Sequence, residues 1–247
     1  QKPHPPMWMA CTNRDTIRIA AQNGIGALAF SFLDPDEAKN WSKIYYNIIK
    51  SEECVPLGWS VNANLAMVSA FSMHEDRAEA IRRGQDNFEF FRYSQQKLVA
   101  EDFVPGYSNM WEEFMEKRGD TSDRLIQAAM SRAEYDGAGI GTPDDMARHL
   151  RDIQEVGIDQ VIFLQQAGRN THQNICESLE LFAEEVMPDF NYDAEEREAK
   201  KAEELAPYIE AALARKTYMQ PLAREDVPVV KAAVRASKFD AQKMRDA

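Results

Sequence analysis

Pro5-Pro6-Met7-Trp8-Met9-Ala10-Cys11-Thr12-Asn13 is the stretch whose reading decides the fold. Two prolines lead into five consecutive apolar residues, the text of a short buried strand, and the chain then passes straight to helix-capping residues. Ile17, Ala20 and Ala21 give the following segment one apolar face until Gly24 stops it, so a helix is expected between that cap and that glycine. Residues 27–32 read as a second strand, covered on both faces. Asp34-Pro35-Asp36-Glu37 then supplies a cap, a proline at the first helical position and acids in the first turn, with Ala38, Trp41, Tyr45 and Ile48 at helical spacing behind it.

The same alternation continues outward. Residues 65–73 form a third apolar run, and His74-Glu75-Asp76 opens a long helix through Ile81, Phe88 and Phe91. Between about residues 92 and 139 the order weakens, and the text there suggests an inserted excursion or lid. Gly141-Thr142-Pro143-Asp144-Asp145 is a capped helix start, followed by Met146, Leu150 and Ile153. Gly157-Ile158-Asp159 turns into a fourth apolar run, residues 160–164. Residues 172–186 complete the series with Ile175, Leu179, Phe182 and Val186 on one helical face. Four strand–helix units of this kind imply an α/β fold with parallel strands joined by helical crossovers.

Four units leave two architectures. A closed (β/α)8 TIM-type barrel needs eight strands and roughly 250 residues, whereas here four strands occupy about the first 190 of 247. The sheet is therefore either open and doubly wound or half of a barrel. An open sheet usually carries a glycine-rich phosphate loop after its first strand. Gly24-Ile25-Gly26 precedes a strand instead, which favours half a barrel, residues 1–191, with the excursion at about 92–140. Such a half leaves two strand edges and an apolar face uncovered, so the chain alone is expected to be partly unfolded or to associate through them. From residue 193 onward the chain has 11 basic and 11 acidic residues, so the net charge of −12 belongs to the first 192, with 18 against 30. The segment 192–247 reads as a charged helical tail outside the core.

Composition narrows the function classes. A pI near 4.9 argues against affinity built on phosphate-backbone neutralisation, and so against a nucleic-acid partner. No apolar stretch has the length of a bilayer span. Cys11, Cys54 and Cys176 are scattered and odd in number, which fits a reducing cytoplasm. Four histidines without close spacing offer no metal centre. The first residue is Gln, and no signal-peptide pattern follows, so the chain reads as processed or as part of a longer product.

Residues 5–13, the helix end Ala20-Ala21-Gln22-Asn23-Gly24 and residues 27–32 together resemble the fifth and sixth βα units of luciferase-like flavin monooxygenases. Gly141-Thr142-Pro143-Asp144, followed by Gly157-Ile158-Asp159-Gln160-Val161-Ile162-Phe163, resembles the approach to that family's last barrel strand. The resemblance spans about residues 3–190. It implies a (β/α)8 barrel with the cofactor at the C-terminal ends of the strands, of which this chain would hold the last four units. It further implies reduced FMN with O2 acting on a small organic substrate, a flavin reductase as partner, and a homo-oligomer. The alternatives are an F420-dependent hydride-transfer enzyme of the same fold, and a non-catalytic flavin-binding or subunit-interaction protein whose tail docks a partner.

Candidate residues lie where strands pass into helices. Thr12, Asn13 and Thr16 sit at a helix N-terminus, where amides and dipole favour an anion. The matching turn in the family contacts the FMN phosphate; the plainer reading is an N-cap, and one set of groups can serve both. Phe30 and Ser31 would face the flavin ring in that architecture, against a plain core role. Gln165, Gln166 and Arg169 follow the fourth strand and could bind substrate, or form a solvated loop. His74 is a candidate catalytic group against a structural one. Cys11 reads as packed, Glu112-Glu113 and Asp144-Asp145 as solvated or capping acids, and Met110 and Trp111 as either a cover or ordinary packing.

Overall fold

The computed structural model describes residues 3–29, 35–100, 106–118 and 139–217. Two compact units divide the chain, residues 1–216 and 217–247, and the second is described only at Thr217. The elements of the first unit are β1 (Trp8–Cys11), α1 (Arg14–Gln22), β2 (Gly26–Ala29), α2 (Pro35–Ile49), β3 (Leu65–Ala70), β4 (Ser72–Met73), α3 (Arg77–Ala100), α4 (Met110–Lys117), β5 (Ile140–Gly141), α5 (Pro143–Glu155), β6 (Gln160–Leu164), α6 (His172–Glu185), α7 (Met187–Asn191) and α8 (Ala194–Ala214).

The expected parallel sheet is present, with strand order β1-β2-β3-β6. The strands follow chain order without reversal, and the register runs straight across: Cys11 lies beside Ala29, Ala29 beside Met67 and Met67 beside Val161. Side chains alternate between the faces of a strand, so these four share one face with Met9, Ala27, Leu65 and Phe163. That face carries the main core. Ile17, Ala20 and Ala21 of α1, Trp41, Tyr45 and Ile48 of α2, and Met146, Leu150 and Ile153 of α5 pack on it. Each large side chain so buried contributes about 2 kcal/mol. Tyr45 is completely buried, and its hydroxyl is satisfied by the carbonyls of Ile25 and Asn62 at 3.0 and 2.8 Å.

The helices begin where their caps dictate. Asn13 and Thr16 form a reciprocal capping box on α1, and Thr142 and Asp145 form another on α5, with Pro143 in its first turn.

The structure corrects several expectations. β1 and β6 are the edges of the sheet rather than buried strands. Ala10 and Gln160 are exposed on the face opposite the main core, and so are Trp8 (36%) and Ile162 (37%). The run 65–73 is two strands: after Phe71 the chain leaves β3's partners, and β4 pairs with β5 instead. The weakly ordered excursion is helical where described, since α3 runs unbroken to Ala100 and α4 follows at Met110. Leu179 on α6 is 39% exposed, and the buried residue of that helix is Ser178, which bonds both N–H and C=O of Met73. α8 does not lie outside the core. Leu205 and Ala212 join the main cluster, and Lys201 donates to Asp159 and Asn64, both at 2.7 Å. Asp159 also accepts from the Leu65 amide at 2.7 Å and from the Tyr46 hydroxyl. The polar text of the tail hides this, because only a narrow stripe of an otherwise solvated helix is buried. Among the described residues, no helix is long and apolar enough to cross a membrane.

Candidate functional site

All four main strands run the same way, so their C-terminal ends share one rim. The turn after β1 (Thr12-Asn13) and the loop after β6 (residues 165–170) stand at opposite edges of it. Three strand spacings separate those edges, about 14 Å in all. Phe30 and Ser31, at the end of β2, lie outside the described residues.

The β1 turn is closed by its own side chains. Asn13 Oδ1 accepts the Thr16 amide at 3.0 Å, and Thr16 Oγ1 accepts the amides of Asn13 at 3.3 Å and Thr12 at 3.2 Å while donating to the Asn13 carbonyl at 2.9 Å. The Asn13 and Thr16 side chains expected to hold phosphate are thus engaged in capping. The amides of Arg14 and Asp15 have no acceptor within the helix, as at any helix start, and they project at the exposed rim. Arg14 adds a positive charge there, although both its arms bind Glu37 at 2.7 and 2.5 Å. Those bonds, with further help from Trp41 and Asn40, hold the Glu37 carboxyl down to about 2. The turn therefore fits a phosphate through backbone amides and helix dipole, with Asp15 as an opposing charge. Cys11 beneath it is fully buried, its thiol donating to the Met9 carbonyl at 3.3 Å, and burial pushes its pKa up. It is a packed cysteine, not a nucleophile.

The loop after β6 is built differently. Asn170 Nδ2 donates to the Gln165 carbonyl at 3.1 Å, and Thr171 caps α6. Gln166 is exposed and Gln165 half-buried. The Arg169 amide donates to Asn87 Oδ1 of α3 at 2.7 Å, and its guanidinium stands 5.4 Å from the ring centre of Trp111 in α4. His74 Nδ1 accepts the Asp76 amide at 3.0 Å, just ahead of α3.

The structure adds a histidine to which the sequence assigned no role. His149 on α5 faces the C-terminal part of β3, its Nε2 2.8 Å from Ser69 Oγ, which itself donates to the Ala70 carbonyl at 3.1 Å. Burial pulls its pKa from 6.5 to about 4, against a smaller opposing effect of Asp152. The one available signal is position, since residue 149 falls three after Met146 on the buried face of α5. A cleft of about 450 Å³ lies elsewhere, beneath α7 and α8 beside the N-terminal end of β6, floored by Val161, Phe163 and Phe182. Arg197 and Lys201 on its wall are paired with Asp193 and Asp159. No group of three or more metal-ligating side chains occurs among the described residues.

No protein-family model and no curated protein sequence matches the chain. Solved structures do. The monooxygenase RslO1 from Streptomyces bottropensis superposes with a TM-score of 0.51 at 17% identity, over 77% of this chain and 50% of that one. The fold is luciferase-like. More distant likenesses include the coenzyme F420-dependent tetrahydromethanopterin reductase from Methanopyrus kandleri, with TM-score 0.48 and 19% identity over 75% of this chain and 51% of that one. Another is the oxygenating constituent of 3,6-diketocamphane monooxygenase from the CAM plasmid of Pseudomonas putida, in complex with FMN, with TM-score 0.48 and 14% identity over 74% and 48%. The chain thus spans about half the length of the solved structures it matches.

Proposed function

We propose that the chain is the C-terminal half of a (β/α)8 flavin-dependent monooxygenase. In this reading it uses reduced FMN and O2 to oxidise a small organic substrate, and its helical tail begins near residue 192. The observation that carries this is the winding of the sheet. Four parallel strands stand in chain order, β1-β2-β3-β6, with α1, α2 and α5 on one face, which is how a barrel winds. A doubly wound sheet reverses its strand order, which this one does not. The superposition on half of a monooxygenase supports the same architecture. A shared fold does not carry a function with it, so the activity rests on the rim.

At that rim the first-turn amides of α1, with Thr12, Asn13 and Thr16 around them, would hold the FMN phosphate, and Phe30 and Ser31 would lie along the ring. Bound flavin supplies the redox chemistry, and the protein binds, orients and excludes water. Gln165 and Gln166 would line the substrate side.

The test is an FMN titration followed by flavin fluorescence, with a Thr12→Ala/Asn13→Ala double variant beside the parent. Saturable binding weakened about tenfold in the variant is expected, because loss of the Asn13 cap loosens the first-turn amides that would hold the phosphate. Binding that the variant leaves unchanged would remove the phosphate from this turn. Oxygen uptake during turnover separates this reading from an F420-dependent hydride transfer.

A further inference from the structure

The loop after β6 is held in place by residues far away in the chain. The Arg169 amide meets Asn87 across 82 residues of sequence, and the Asn87 side-chain amide in turn donates to the Arg83 carbonyl at 2.8 Å. That second bond fixes which way the carboxamide points and presents its oxygen to the loop. Gly168 has a left-handed backbone (φ +58°) and rests directly on the two helices. A Cβ at this position would stand 2.5 Å from Asn87 Oδ1, 2.6 Å from the Trp111 ring and 3.0 Å from the Asn87 backbone. On its other side Arg169 lies over Trp111, which is itself held by Phe90 and Phe114 at ring separations of 5.0 and 6.1 Å. Phe114 and the neighbouring Tyr93 are completely buried, and Lys97 and Glu113 join α3 to α4 beside them.

We propose that Asn87 and Trp111 are positioning residues that hold the loop 165–170 at the C-terminal rim of the sheet, and that Arg169 is the loop's anchor to them rather than a ligand-binding cation. The inference rests on the proposed function, in which this loop forms the substrate side of a flavin site. Three independent contacts converge on two consecutive residues: an amide hydrogen bond, a close backbone approach that excludes any side chain at 168, and a cation–π stack. A loop serving only as a connection needs none of them. Held this way, Gln165 and Gln166 keep one place at the rim, which is what orienting a substrate requires. The arm made by α3 and α4 is thereby part of the site's construction.

Amide hydrogen exchange on the full chain tests this, reading residues 165–171 against β2 and β3 as internal references. Asn87→Ala and Trp111→Leu are each expected to speed exchange in the loop about tenfold while the sheet is unchanged. Asn87→Leu keeps the volume but offers no acceptor, and it is expected to lose protection as Asn87→Ala does, which a side chain needed only for packing would not. Arg169→Gln, a surface change that leaves the fold intact, is expected to speed the loop to a smaller extent. Loop exchange within twofold of the parent in Asn87→Ala and Arg169→Gln would overturn the proposal, as would loop and sheet accelerating together. FMN titration of the same variants separates the two claims. Faster loop exchange in a chain that binds no FMN supports the clamp and counts against the flavin reading, and FMN binding with an unaffected loop does the reverse.

Discussion

The turn after β1 closes on itself, whereas the loop after β6 is closed by another part of the chain. Asn13 and Thr16 are three residues apart and satisfy each other's backbone groups. Arg169 finds its partners in α3 and α4, at Asn87 and Trp111. A self-capped turn is indifferent to what happens elsewhere in the molecule, while a clamped loop inherits the stability of the elements that clamp it. One end of the rim is therefore fixed by its own helix, and the other can be tuned from outside.

The sharpest way to break this contrast is Gly168→Ala. The new methyl group would have to displace the Asn87 backbone and the Trp111 ring and accept a left-handed φ, at a cost of about 4 kcal/mol. Urea denaturation should show that loss, and a change under about 1 kcal/mol would mean that the loop does not rest on α3 and α4. Acid gives the next largest effect, and it acts between the two ends. The unfolded chain protonates His149 near pH 6.5 and the folded chain only near pH 4. The stability it confers is thus full above pH 6.5 and lost as the pH falls from 6.5 to 4, by roughly 3 kcal/mol at most. A His149→Gln variant should flatten that part of the pH–stability curve; an unchanged curve would show that another group governs it.

Asn13→Ala should cost about 1 kcal/mol, the usual worth of an N-cap. Combined with Trp111→Leu the losses should simply add, because the two sites share no partner. A coupling beyond about 0.5 kcal/mol would contradict the separation of the two ends. The smallest effect belongs to Arg14→Ala, which opens an exposed ion pair with Glu37. No measurable change in melting is expected, and a large shift would mean that this pair braces the turn.

The same contrast explains how much of the fold and site is legible in the sequence. Asn13 with Thr16, and Thr142 with Asp145, are visible as spacings, so helix starts can be read and so can the parallel alternation they punctuate. The exposure of β1 and β6 cannot, because an apolar run reads alike at an edge and in the middle of a sheet; Trp8 and Ile162 show their difference from Leu65 only once the strand order is known. The break at Phe71 depends on a pairing with Ile140 and Gly141 some 70 residues onward. Nothing local to Arg169 announces Asn87 or Trp111. Leu205 and Ala212 are masked by the Glu, Lys and Ala around them, and only the packing of α8 reveals them.

The open parallel sheet makes one demand that neither turn can evade. Its two edge strands lack neighbours among the described residues, and Trp8 and Ile162 are exposed on the face opposite the main core. Sedimentation of the 28.2-kDa chain, with a thermal melt on the same sample, tests this most directly. The expected result is a particle of at least dimer mass, or an expanded monomer without a cooperative melt. A compact, monodisperse monomer that melts cooperatively would contradict it.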